Sequence, residues 1–197
     1  KTSHTRLLYI AEVKDKVTKA HLEEFFMEFQ SKYEMTGLLL ILNNYYIHLM
    51  EWEPDYFKNL VTDLQSAFNE KNSMYRGIWI LHFTEENIER LFDQWLCIVI
   101  TSPGSSKEIK HLPEHERYWT IYEGMCKISA KVNKDKEKGK SQFDMTIKQN
   151  ASDLIPMGEE LTSITTEQEM TLNEFVDYFF TPPDIVLEGE RTWPAAP

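Results

Sequence analysis

Along the first half of the chain the apolar positions switch between a period near two and a period near 3.6, and each switch marks a new element. Residues 6–13, RLLYIAEV, are rich in β-forming side chains and predict a strand. Thr18 then stands where a helix N-cap belongs. Leu22, Phe25, Phe26 and Phe29 follow at helical spacing, with Glu23, Glu24 and Glu28 largely opposite. A second strand is predicted from Gly37 to about Leu42 and a third from Tyr45 to Trp52. Asn43-Asn44 between them suits a two-residue hairpin turn, because asparagine tolerates positive φ. Pro54 opens a helix over 54–70 whose apolar stripe is Phe57, Leu60, Val61, Leu64 and Phe68. Arg76–Phe83 predicts a fourth strand, Glu85–Leu91 a short helical segment, and Asp93 or Gln94 to Thr101 a fifth strand.

This order, β-α-β-β-α-β with one strand added, predicts an α+β fold with a mostly antiparallel, ferredoxin-like sheet. Strand alternation puts Leu39, Ile41, Ile47, Leu49, Leu96, Ile98 and Ile100 on one face. Leu38, Leu40, Tyr46, Met50, Trp95, Cys97 and Val99 fall on the other. Both faces are apolar, and two crossover helices of one hand cover only one of them. The second face therefore needs later helices. Candidates are 113–131, with Tyr118, Ile121, Tyr122, Met125 and Ile128, and 171–180, with Leu172, Phe175, Val176 and Phe179. The expected organisation is a sheet domain over 1–103, a helical extension over 104–180 broken by a mobile lysine-rich loop near 133–142, and an extended proline-rich tail over 181–197.

Composition narrows the function classes. The net charge of −11 argues against nucleic-acid or anionic-membrane binding, and no window approaches the roughly 18 apolar residues of a membrane span. Ten acidic residues and no lysine or arginine lie between Asp153 and Glu190, so a solvated acidic segment or an acidic arm for a basic partner is expected there. The two cysteines, Cys97 and Cys126, favour reduced thiols in an intracellular compartment. His48, His82, His111 and His115 belong to separate elements, and no metal constellation is expected. In the tail, Ile185, Leu187 and Trp193 are the expected apolar contacts with a protein partner or with the domain itself.

Tyr9 on the first strand, then a helix, MTGLLLI, a hairpin, HLMEW and RLFDQWLCIV together resemble the BLUF domain, the flavin-binding blue-light sensor family with a ferredoxin-like fold. The resemblance covers residues 6–100 and points within that family to a vertebrate, testis-expressed, BLUF-like branch. It implies a flavin ring between the two covering helices, held by a strand tyrosine, a strand glutamine and a helix asparagine. Tyr9 matches the tyrosine. The glutamine position falls on His48, the asparagine position on Gln30, and the methionine of the last strand on Cys97. An aspartate, arginine and histidine group aligns with Ala67, Asn69 and Glu70, and a glycine with Trp52.

These departures remove polar partners that a buried flavin needs, at about 1–3 kcal/mol for each unmet group. The expectation is a vestigial pocket at Tyr9, Gln30, His48, Asn69 and Cys97, with no cofactor and no photochemistry. The alternative is a sensor that still binds FAD or another planar ligand. Tyr9 and His48 are expected to face one side of adjacent strands and to hydrogen-bond. No catalytic residue is expected: no nucleophile accompanies His48, and EVKDKVTK lacks the glycine-rich, arginine-bearing loop of the related acylphosphatase fold. The resemblance further implies a structural or interaction protein of the cytoplasm, set in the sperm flagellar axoneme or an associated complex.

Overall fold

A computed structural model describes residues 3–101, 107–135, 140–166 and 170–182. The strands are β1 (His4–Val13), β2 (Thr36–Leu42), β3 (Tyr45–Trp52), β4 (Tyr75–Asn87) and β5 (Trp95–Val99). They form one sheet in the order β4-β1-β3-β2-β5, with β5 parallel to β2 and the other neighbours antiparallel. Helices α1 (Lys19–Tyr33) and α2 (Phe57–Asn69) are the crossovers, α2 following a 3-10 turn at Pro54–Tyr56. Helices α3 (Glu114–Lys134), α4 (Lys140–Leu154), α5 (Glu159–Thr166) and α6 (Leu172–Phe180) come after the sheet.

Local chemistry sets several boundaries. The Thr18 hydroxyl accepts from the His21 N–H and the His21 imidazole accepts from the Thr18 N–H, a reciprocal cap that satisfies two otherwise orphan donors. The β2–β3 hairpin turns on Asn43 at φ 60°. Gly37 sits at φ 142°, and a Cβ there would lie 2.0 Å from the Leu49 carbonyl oxygen, so only glycine lets β2 approach β3 at this point.

Two cores flank the sheet. Leu7, Tyr9, Leu39, Tyr46, Met50 and Cys97 face α1 and α2, while Leu8, Ile10, Leu38, Leu40, Ile47, Leu49 and Ile98 face α3, α4 and α5. The expected faces of β2 are thus exchanged. Across the two-residue turn Leu42 pairs with Tyr45, so Leu38 lies beside Leu49 and Leu40 beside Ile47, and even positions of β2 share a face with odd positions of β3.

Three further expectations are corrected. Glu85–Leu91 is not helical: β4 continues to Asn87, whose side chain bonds the His4 carbonyl, and Arg6 pairs with Thr84. The lysine-rich stretch is shorter than 133–142, because α3 runs to Lys134 and α4 starts at Lys140. Phe143, Ile147 and Ala151 carried a helical period that the neighbouring lysines obscured. Helix 171–180 covers the first face rather than the second. The chain meets the edge of β4 where Thr171 bridges Trp79, and α6 continues beside α2, with Phe175 packed against Phe83 and Phe57 at ring distances of 5.4 and 6.2 Å. Asn173 joins it to Gln65 and Asn69 of α2.

Replacing Gly37 with alanine is expected to lower the unfolding free energy by about 2 kcal/mol or more, through the backbone clash and the unfavourable φ together. Urea denaturation of the two proteins measures it.

Candidate functional site

The first face of the sheet holds a buried polar chain. Tyr9 and His48 are Cα partners on β1 and β3, so their side chains emerge together beneath α1. The Tyr9 hydroxyl lies 2.9 Å from His48 Nδ1 and 3.2 Å from the Tyr46 hydroxyl, and Tyr46 donates to the Tyr75 hydroxyl at 2.9 Å. On the other side of the imidazole the Trp95 indole N–H donates to His48 Nε2 at 3.0 Å.

The donor-only indole decides the rest. Since Nε2 must accept, the ring proton of the neutral imidazole sits on Nδ1 and is donated to Tyr9. Tyr9 then donates to Tyr46, and Tyr46 to Tyr75, so the bonds run in one direction from Trp95 to Tyr75. An imidazolium would turn an N–H toward the Trp95 N–H. Burial alone already holds the His48 pKa well below the usual imidazole range. Burial, with Tyr75 nearby, likewise keeps Tyr9 and Tyr46 well above the ordinary phenol range. The group is neutral, and its members Tyr9, Tyr46 and His48 are all fully buried.

Aromatic rings close over it. Phe26 of α1 stands edge-on to His48 at 4.7 Å and to Tyr46 at 6.2 Å, and lies 5.7 Å from Trp95. Phe25 from α1 and Phe68 from α2 meet over Tyr75 at 6.2 and 6.4 Å. Trp52, where the BLUF resemblance expects glycine, is fully buried and stacks on Phe57 at 6.4 Å.

A protein-family model matches residues 4–181, nearly the whole described chain. The chain belongs to the testis-expressed protein 47 family. No curated protein matches it. Among solved structures it is similar to the BLUF domain of BlrP1, at 19% identity over 50% of this chain and 66% of that one, with a TM-score of 0.39. A longer Klebsiella pneumoniae BlrP1 chain, in a calcium and cyclic-diGMP complex, matches at 18% identity and a TM-score of 0.39 over 49% of this chain and 24% of that one. BlsA in its ground state matches at 15% identity over 86% of this chain and 93% of that one, with a TM-score of 0.41. The chain therefore spans only part of the BlrP1 structures it matches. The strand order of the sheet is that of a ferredoxin-like architecture with β5 added beside β2.

Of the five pocket positions, the structure brings Tyr9 and His48 into contact. Gln30 instead donates to the Phe26 carbonyl of its own helix at 3.3 Å, and Asn69 donates to Asn173 of α6 at 3.2 Å. Cys97 packs in the same apolar core, where burial pushes its thiol up to about 12. Ile185, Leu187 and Trp193 lie outside the described residues. Among the described residues no helix is long and apolar enough to cross a membrane, and no group of three or more His, Cys, Asp or Glu residues is placed to hold a metal ion.

Sequence reasoning missed Trp95 and Tyr75 as members of the chain, and missed the role of Arg6. On the second face Arg6 Nε contacts the fully buried Glu51 at 3.0 Å, while its Nη atoms reach Tyr122, Asn87 and the Glu89 carbonyl at 2.6, 3.2 and 3.1 Å. The Glu51 carboxylate also accepts from the N–H groups of Leu91 and Phe92 at 2.8–3.0 Å. A lone arginine and a glutamate on paired strands were the available signal.

His48→Gln is expected to cost less than about 1.5 kcal/mol, because an amide can accept from Trp95 and donate to Tyr9. His48→Leu strands the indole N–H and should cost about 2 kcal/mol or more in denaturant unfolding. The pH dependence follows from the depressed native pKa. The unfolded histidine takes up a proton below about pH 6.5 and the native one does not, so stability falls as pH drops from about 7 to 5, by up to about 1.4 kcal/mol per pH unit. His82, half-buried and also depressed by burial and by Arg6, adds a smaller part. Unfolding of His48→Gln across that range should show a visibly shallower slope.

Proposed function

We propose that the chain is a non-enzymatic structural or interaction protein, a BLUF-like fold without flavin photochemistry, and that it works as a component of the sperm flagellar axoneme or an associated complex. The observation that carries the first half is the filled space around His48, over β1 and β3, where the imidazole is fully hydrogen-bonded. Both nitrogens of His48 are engaged, and Phe26 and Trp95 pack against its ring. Gln30 and Asn69 are committed elsewhere. A three-ring ligand entering between α1 and α2 would have to displace Phe26 and break these bonds, with few free groups left for its polar edge.

The chemistry at hand argues in the same direction for the absence of catalysis. A dry, neutral imidazole with both nitrogens bonded has neither the access nor the basicity of a general base, and the phenols around it stay protonated. The acidic composition and the absence of a membrane-crossing helix among the described residues favour protein partners. Support for the sperm setting comes from the description of the family as testis-expressed.

Protein purified after expression with added riboflavin is expected to be colourless, with no flavin fluorescence released on denaturation. Stoichiometric yellow protein would restore the FAD-binding sensor. For the setting, antibody staining of sperm stripped of membrane with detergent should leave the signal along the flagellum. Complete extraction with the soluble fraction would remove the axonemal assignment.

A further inference from the structure

β4 forms one edge of the sheet, and among the described residues its outer side is covered by one bridge. Trp79 pairs there with Thr171, and the Ile80 N–H donates to the Met170 carbonyl at 2.8 Å. Beyond that bridge the strand continues to Asn87. A groove of about 340 Å³ runs along it, lined by Leu81, His82 and Phe83 of β4, by Tyr118 of α3, and by Phe175 and Tyr178 of α6.

Four of the eight large apolar side chains exposed among the described residues gather at this place: Trp119 at 57%, Met170 at 44%, Tyr178 at 75% and Phe179 at 40%. Trp119 joins the groove through His82, at a ring distance of 6.1 Å. Such a concentration beside an open strand edge marks a binding surface rather than scattered surface apolarity. The charge is of one sign. Glu114 lines the groove, Glu85 and Glu86 are exposed at the end of β4, and Glu174 and Asp177 are exposed on α6, while no lysine or arginine is among the lining residues.

We propose that this groove takes an extended segment of a partner protein that adds as a strand to β4, with a short run of apolar or aromatic residues flanked by lysine or arginine. Successive side chains of an added strand would point alternately to α3 and to α6. Tyr118 and Trp119 on the α3 side and Phe175, Tyr178 and Phe179 on the α6 side offer apolar surface to both sets of side chains, so the segment is continuously apolar at its centre rather than alternating. The cationic flanks answer Glu85, Glu86 and Glu114. Another copy of this edge would set Glu85 and Glu86 against their equivalents. The chain's own residues 183–197, with Asp184, Glu188 and Glu190 against Arg191, carry the wrong sign as well. The inference rests on the reading of the chain as an interaction protein and names the class of segment that it binds.

The test is selection of peptides from a random display library on the full chain, followed by fluorescence anisotropy with the selected peptide. The expected consensus is a short apolar run with flanking cationic residues. Binding should weaken about tenfold or more in Trp119→Ala and Tyr178→Ala. It should weaken similarly in the combined Glu85→Lys, Glu86→Lys and Glu114→Lys variant, and fall with rising salt. N-methylation of alternate backbone amides in the peptide should abolish it. Selected peptides without cationic residues, unchanged binding by these variants, or no selection at all would overturn the proposal. So would preferential capture of the peptide 183–197, which would assign the groove to the tail. A colourless protein that selects nothing would lose this site and leave the flavin-free reading standing.

Discussion

A sheet that is apolar on both faces cannot leave either one open to water, and the arrangement of this chain follows from that constraint. Each buried leucine, isoleucine or valine side chain contributes about 1.5–3 kcal/mol only when it is covered. The two crossover helices serve Leu7, Leu39 and Met50, while Leu8, Leu38, Leu40, Ile47 and Leu49 need α3, α4 and α5. The segment after β5 is therefore part of the core that the sheet requires. Helix α6 returns to the first face beside α2, so the C-terminal helices clasp the β4 side of the sheet from both faces.

Among the described residues each face carries a buried polar network at its centre, and the two solve the same problem differently. On the second face Arg6 and Glu51 bring opposite charges together, and the remaining lone pairs of Glu51 are met by the N–H groups of Leu91 and Phe92. That pairing ties the middle of the sheet to the 89–92 segment and, through Tyr122, to α3. Removing one member of such a pair leaves a buried charge with no counterpart, so the pair fixes geometry more than it adds net stability. The network on the first face carries no ion: Trp95, His48, Tyr9, Tyr46 and Tyr75 hand on one hydrogen bond after another with every group neutral. The first solution fastens elements to one another, and the second permits a dense aromatic packing in which a charge would have had no solvation.

The pattern of residues foretold a good deal of this. The N-cap at Thr18, the hairpin at Asn43-Asn44 and the stripe from Leu60 to Leu64 are local features, readable because their causes lie within a few residues. The Tyr9–His48 pair is not local, since 39 residues separate the two along the chain; it was legible through the BLUF resemblance, which sets them on adjacent strands. The phase of β2 against β3 was misjudged by one residue, which moved every leucine of β2 to the other face. Helix α4 was hidden because flanking lysines in a short window outweighed Phe143, Ile147 and Ala151.

By itself, then, the sequence determined the order of the sheet elements along the chain, the apolar character of both faces and the acidic balance. Those properties depend on neighbours along the chain. Only the tertiary structure decided which helices cover which face, that Glu51 is spent on Arg6 and the 91–92 backbone, and that His48 is a neutral acceptor. The reason is physical: the protonation and rotation of an imidazole are set by the groups that touch it, and Trp95 and Phe26 arrive from distant parts of the chain.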